Sequence, residues 1–123
     1  MIKLDHITIK VRDYRAARDW YVRLLGLKQE FELPNSAAAL QDDSGFTLFV
    51  EQATSNGTEP PCVLYFQVED VEAKYRDLIR EKVQIIHGPE KHFWGYGVEL
   101  QDLDGYRLRL WDEKSMKEKG DDT

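Results

Sequence analysis

The chain has 123 residues, 41% of them hydrophobic and 33% charged, with four prolines and eight glycines. That is the composition of a folded soluble domain, and it excludes a disordered, fibrous or large multidomain protein. Asp and Glu number 23 against 17 Lys and Arg, a formal charge of −6 without a basic patch, so no nucleic-acid partner is expected. No run approaches the roughly 20 apolar residues needed to span a bilayer, so no membrane role is expected. Cys62 is the single cysteine and has no partner for an internal disulfide. Residues 1–20 lack the basic head and apolar run of a secretory signal, and the expected location is the cytoplasm.

Leu4 to Val11 alternates, with Ile7, Ile9 and Val11 on one face and Leu4, His6, Thr8 and Lys10 on the other. This predicts a strand with one core face and one more polar face. Asp13 suits a helix N-cap, Ala17, Trp20, Tyr21, Leu24 and Leu25 follow at helical spacing, and Gly26 suits the stop. Three strand-like runs come next, Leu27 to Leu33, Ser36 to Gln41 and Phe46 to Glu51, separated by Pro34-Asn35 and by Asp42-Asp43-Ser44-Gly45. Residues 2–53 therefore form a predicted βαβββ module.

A polar linker over residues 54–60 precedes a restart of the same pattern. Leu64, Phe66 and Val68 follow Ile7, Ile9 and Val11 by 57 positions, as Asp70 follows Asp13. Val71, Tyr75, Leu78 and Ile79 make the apolar face of a second helix, and Gly105 to Leu110 repeats Gly45 to Val50 at an offset of 60. The second module spans 61–112, and the charged tail 113–123 is expected to fray. Together these predict a single α+β domain, residues 1–123, of two βαβββ modules related by a pseudo-twofold. With one helix per module, each sheet has one face for the core and one free to curve into a cup.

Alternation puts His6, Thr8 and Lys10, then Thr47, Phe49 and Glu51, on the cup face. The second module adds Val63, Tyr65, Gln67, Arg107, Arg109 and Trp111, with Glu99 from the neighbouring strand and Trp94 just before it. The candidate ligand-binding set is His6, Phe49, Glu51, Val63, Tyr65, Trp94, Glu99, Arg109 and Trp111, and no residue is assigned a catalytic role. Arg109 offers a planar fork to a carboxylate or phosphate, and the aromatic rings offer stacking surfaces. Two alternatives stand open: Arg109 pairs internally with Glu51 or Glu99, filling the cup and leaving it without a function, and Trp94 plugs the core edge near Phe93. Trp20, Tyr21 and Tyr75 sit at core spacing and are assigned to packing. His87 and His92 flank Gly88-Pro89 in an expected loop, where histidines are solvated.

Three stretches, Asp5-His6-Ile7-Thr8-Ile9-Lys10-Val11, the helix Ala16 to Gly26 with Trp20-Tyr21 and Leu24-Leu25-Gly26-Leu27, and Asp102-Leu103-Asp104-Gly105-Tyr106, resemble the vicinal oxygen chelate superfamily. This superfamily includes glyoxalase I, extradiol dioxygenases and bleomycin-resistance proteins, and the resemblance covers about residues 2 to 112. Leu103 stands where the family most often has Pro. Metal-dependent members chelate a divalent ion from the first and fourth strands of each module, which maps here onto His6, Phe49, Val63 and Arg109. Only His6 is a ligand type. The resemblance therefore implies a metal-free, cofactor-free binding protein of the bleomycin-resistance kind, sequestering a planar or charged compound such as an antibiotic. A metal-dependent lyase, isomerase or dioxygenase is the alternative, with His6, Glu51 and Glu99 as ligands if an ion binds. Exposed sheet edges and the family habit imply a homodimer.

Overall fold

The computed structural model describes residues 6–53 and 62–120, so Leu4 and the linker 54–60 lie outside the described residues. The first module runs β1 (His6–Val11), α1 (Tyr14–Leu25), β2 (Lys28–Leu33), β3 (Ala37–Gln41) and β4 (Thr47–Gln52). The second runs β5 (Val63–Gln67), α2 (Val71–Arg80), β6 (Gln84–His92), β7 (Gly95–Gln101) and β8 (Arg107–Trp111), followed by α3 (Glu113–Lys119). They form two compact units that divide between Pro60 and Pro61. Each unit holds one four-stranded mixed sheet, ordered β1-β4-β3-β2 in the first and β5-β8-β7-β6 in the second. This is the α+β architecture of two βαβββ modules that the offsets predict. No helix among the described residues is long and apolar enough to cross a membrane.

In each unit the first strand pairs parallel with the fourth, and the other pairs are antiparallel. A parallel pair needs a crossover, and the helix supplies it on one sheet face. Ile9, Val11, Leu48 and Val50 are buried in the first unit with Ala17, Tyr21 and Leu24 of α1. Leu64, Val98, Leu100, Leu108 and Leu110 are buried in the second with Val71 and Leu78 of α2. Ile79 departs from the expected apolar face and is 47% exposed. Its Cα lies about 100° around the helix from Leu78, and α2 ends one residue later, so no following turn covers it.

The backbone devices repeat at the offsets read from sequence. The Asp13 side chain accepts from the N–H groups of Arg15 and Ala16, at 3.0 and 3.2 Å, and Asp70 accepts from Ala73 at 3.1 Å. Asp42 accepts from the N–H groups of Ser44 and Phe46, and Asp102 from those of Asp104 and Tyr106, all within 2.8–2.9 Å. Gly45 and Gly105 close these turns, each at φ 89, a left-handed conformation open to glycine. The first N–H of each helix, which has no intrahelical acceptor, goes to the residue at or just past the end of the fourth strand. Tyr14 donates to Gln52 Oε1 at 3.1 Å, and Val71 donates to Asp112 Oδ2 at 2.6 Å.

The expected fraying of the tail is corrected. Residues Glu113–Lys119 are helical, capped by Asp112, whose Oδ1 accepts from Ser115 N–H at 2.6 Å. Met116, the tail's apolar residue, seats against Gly95, where a Cβ would collide with its sulfur, and Tyr96 N–H donates to that sulfur at 3.4 Å. One buried carboxylate thus serves α2 and α3 together.

Burial alone would raise the Asp112 carboxyl, but hydrogen bonds from Val71 and Ser115 outweigh it and hold the group below the ordinary aspartate range. Asp112→Ala is expected to cost about 1.5–3 kcal/mol in urea unfolding at neutral pH, from the lost cap and the stranded Val71 N–H. Because the folded value is depressed, this contribution is complete above the unfolded value of about 3.9 and is lost as pH falls through the folded value. The gap between the two proteins should therefore narrow in acid.

Candidate functional site

Strand register builds the second unit's site. On the sheet face away from the Leu64, Leu108 and Leu110 core, Tyr65 of β5 lies opposite Arg109 of β8, Arg109 opposite Glu99 of β7, and Glu99 opposite His87 of β6. One residue from each strand thus forms a row across the sheet. Glu99 is 5% exposed. A buried carboxylate needs compensation, and two arginines supply it from the next strand. Arg109 donates from Nε to Oε1 and Arg107 donates from Nη1 to Oε2, each at 2.8 Å. Burial pushes the Glu99 carboxyl up, but these bonds outweigh it and hold it below the ordinary glutamate range, while the same pairing raises Arg109.

Arg109 also donates from Nη1 to the Tyr65 hydroxyl. Its Cζ lies 5.4, 5.2 and 5.4 Å from the ring centroids of Tyr65, Phe93 and Trp94, a cation inside an aromatic surround. Trp94 sits in the β6–β7 turn and lies over Gly97, where a Cβ would come within 2.7 Å of the indole Cη2. The second glycine of Gly95-Tyr96-Gly97 thus makes room first for the Leu110 carbonyl of β8, which lies nearer still, and then for the tryptophan. One carboxylate and two guanidiniums leave the trio of Glu99, Arg107 and Arg109 with a net positive charge.

The corresponding row of the first unit is Thr8, Phe49, Ala39 and Phe31. Phe49 packs against Phe31 at 5.7 Å and against the His6 ring at 4.8 Å between centroids. It is an apolar surface, the counterpart of the charged row in the second unit.

Of the sequence candidates, Tyr65, Trp94, Glu99 and Arg109 come together in one cluster. Val63 and Trp111 share its strands, opposite Arg107 and Gln67 in register. His6, Phe49 and Glu51 belong to the first unit. The pairing alternative for Arg109 resolves to Glu99, whereas Glu51 pairs with Lys10 at 3.6 Å. Phe93 is 91% exposed, while its neighbour Trp94 is half-buried over Gly97 of the buried strand β7. Of the conditional ligand set, His6 and Glu51 lie apart within the first unit, and Glu99 of the second is already engaged. His6 lies opposite Thr47, four residues or about 13 Å of strand from Glu51, and both Glu99 oxygens are held by arginines.

His87 and His92 are also corrected: both lie on β6, with Nε2 atoms that are buried. Their spacing of five hides this, because a regular strand turns them to opposite faces. Gly88-Pro89, read as a loop, marks a bulge instead.

Solved structures share this fold. A possible glyoxalase from Bacillus cereus superposes with a TM-score of 0.75 at 18% identity, covering 89% of this chain and 98% of its own. A glyoxalase/dioxygenase from Nostoc punctiforme gives 0.74 at 23% identity, covering 90% of each chain. A lactoylglutathione lyase from Agrobacterium tumefaciens gives 0.71 at 18% identity, covering 89% of this chain and 92% of its own. No curated protein matches the sequence. Residues 3–110 match the sequence profile of the Glyoxalase/Bleomycin resistance protein/Dioxygenase superfamily, and the chain belongs to that superfamily.

Proposed function

We propose that the protein is a cytoplasmic, homodimeric small-molecule-binding protein that sequesters a planar compound carrying an anionic group, an antibiotic being one such compound. The observation that carries this reading is Arg109, a cation fixed by Glu99 and Tyr65 among three aromatic rings. With Arg107 beside it, the charge balance favours an anion, and the rings offer a flat apolar surface to the rest of the ligand. Stacking on Trp94 and hydrogen bonding to the guanidinium together define a flat acid better than a neutral or cationic ligand.

The other reading is a metal-dependent lyase, isomerase or dioxygenase, the activities that the names of structural relatives suggest. The superfamily's four chelating positions argue against it in this chain. Phe49 and Val63 have no lone pair to give, and Arg109 brings a positive charge, so His6 is the one ligand type among the four.

A thermal-shift screen over planar carboxylates, phosphates and anionic antibiotics tests the function, because a ligand of the native state raises the midpoint by mass action. Hits are expected among flat anions, and hits confined to cations or neutral compounds would reject the charge argument. Arg109→Ala should weaken a hit by about 1.5–3 kcal/mol, the scale of a hydrogen bond to a charged group. It should also destabilise the free protein by about 1–3 kcal/mol, less than the full cost of stranding a buried carboxylate because Arg107 remains.

Glu99→Gln removes the charge that both arginines share. The depressed glutamate stabilises the fold above the unfolded value of about 4.3 and ceases to do so as pH falls through its folded value. The variant's deficit in thermal midpoint should therefore be largest near neutrality and shrink in acid. For the homodimer, light scattering at micromolar concentration should give twice the 14.4 kDa chain mass, and a monomer mass rejects it.

A further inference from the structure

We propose that His87, Glu90 and His92 form a binding site for a divalent transition-metal ion, apart from the superfamily's four chelating positions. In a regular strand, residues three or five apart point to opposite faces, so these three side chains would be split. β6 is bulged. His87 faces Glu99 and Glu90 faces Gly97, so three steps along β6 match two along β7, and His92 then faces Gly95. Glu99, Gly97 and Gly95 alternate along one face of β7. The extra residue therefore brings both histidines and Glu90 to a single face, and two of the three opposing positions are glycines.

One ring nitrogen of each histidine and one Glu90 oxygen lie within 4.8 Å of one another. The two imidazoles stack at 3.7 Å between centroids, 17° from parallel. The His87 side chain is 10% exposed, and its Nδ1 lies 2.8 Å from the Gly88 carbonyl oxygen. A carbonyl only accepts, so this hydrogen bond puts a proton on Nδ1 and leaves Nε2 as the ring nitrogen that can offer a lone pair to an ion. That arrangement is the usual way a backbone carbonyl orients a metal-binding histidine.

Both Nε2 atoms are buried and make no hydrogen bond. His87 Nε2 is 4.0 Å from Glu99 Oε1 and its Nδ1 is 3.9 Å from Glu90 Oε1, while His92 Nε2 is 3.7 Å from Glu90 Oε2. Buried nitrogens facing carboxylate oxygens at these separations make an electron-rich gap, and a cation satisfies both sides of it. Glu99 itself is excluded as a ligand by its two arginines. Two imidazoles with one carboxylate suit zinc, nickel, cobalt or copper better than magnesium or calcium. Tetrahedral ligands with bonds of about 2.1 Å stand about 3.4 Å apart, so the three groups must close by roughly 1 Å, and His92, 37% exposed, must turn out of the stack so that the in-plane lone pairs of both rings converge. Glu90, whose side chain is 57% exposed, has room to move.

The test is calorimetric titration of zinc, then cobalt, into tag-free protein stripped with EDTA. One ion per chain should bind with a Kd of about 10 μM or tighter. His92→Ala and Glu90→Gln should each weaken it at least about tenfold, while His6→Ala leaves it unchanged. His87 is buried, so His87→Ala is interpreted only if circular dichroism shows it folded, and the two more exposed variants decide otherwise. A Kd weaker than about 1 mM, affinity indifferent to His92 and Glu90, or affinity lost with His6→Ala overturns the proposal.

Discussion

A carboxylate in the middle of a sheet, 5% exposed, constrains everything around it. Glu99 cannot be left in a dry environment without charge compensation, and it sits on β7, one strand from the edge. Compensation must come from a neighbouring strand on the same face, at the opposite and the diagonal positions, and Arg109 and Arg107 stand at those two. Once Arg109 is held, three rings gather about its guanidinium, and Gly97, whose missing Cβ already spares the Leu110 carbonyl, also leaves space for the indole. The site is thus a chain of consequences from one buried charge.

The two modules share a backbone and differ in what they place upon it. Helix caps, Asp-to-Gly turns and the strand-end acceptor of the first helical N–H recur at both offsets because the chain geometry demands them. The face away from the helix carries no such demand. There Thr8, Phe49, Ala39 and Phe31 take the places that Tyr65, Arg109, Glu99 and His87 take in the second module. A duplicated frame can therefore supply an apolar surface from one copy and a charged one from the other.

What was legible in the sequence was what period and turn chemistry encode. Asp13 and Gly26 bound α1, and strict alternation puts Tyr65 and Arg109 on one face. Alternation says which face a residue takes and not which residue lies opposite, so the choice of Glu99 over Glu51 as the partner of Arg109 required the register. The same gap hid α3. By sequence Asp112 is only the last residue of the second module, because its role as acceptor for Val71, 41 positions earlier, is a tertiary contact. The β6 bulge shifts the period by one midway, which moved His92 and Glu90 to a face that simple counting denies them.

The seat of Met116 on Gly95 joins the third helix to the hairpin that carries His92 and Trp94. A short helix with no buried residue of its own is a low-stability element, apt to open locally well before the sheet does. Each such opening would lift the thioether from the turn and release the Tyr96 N–H, loosening the base from which Trp94 reaches over Gly97. Amide exchange at Tyr96 is then a sensitive gauge of the aromatic site, reporting from beneath it how often the surround of Arg109 is whole.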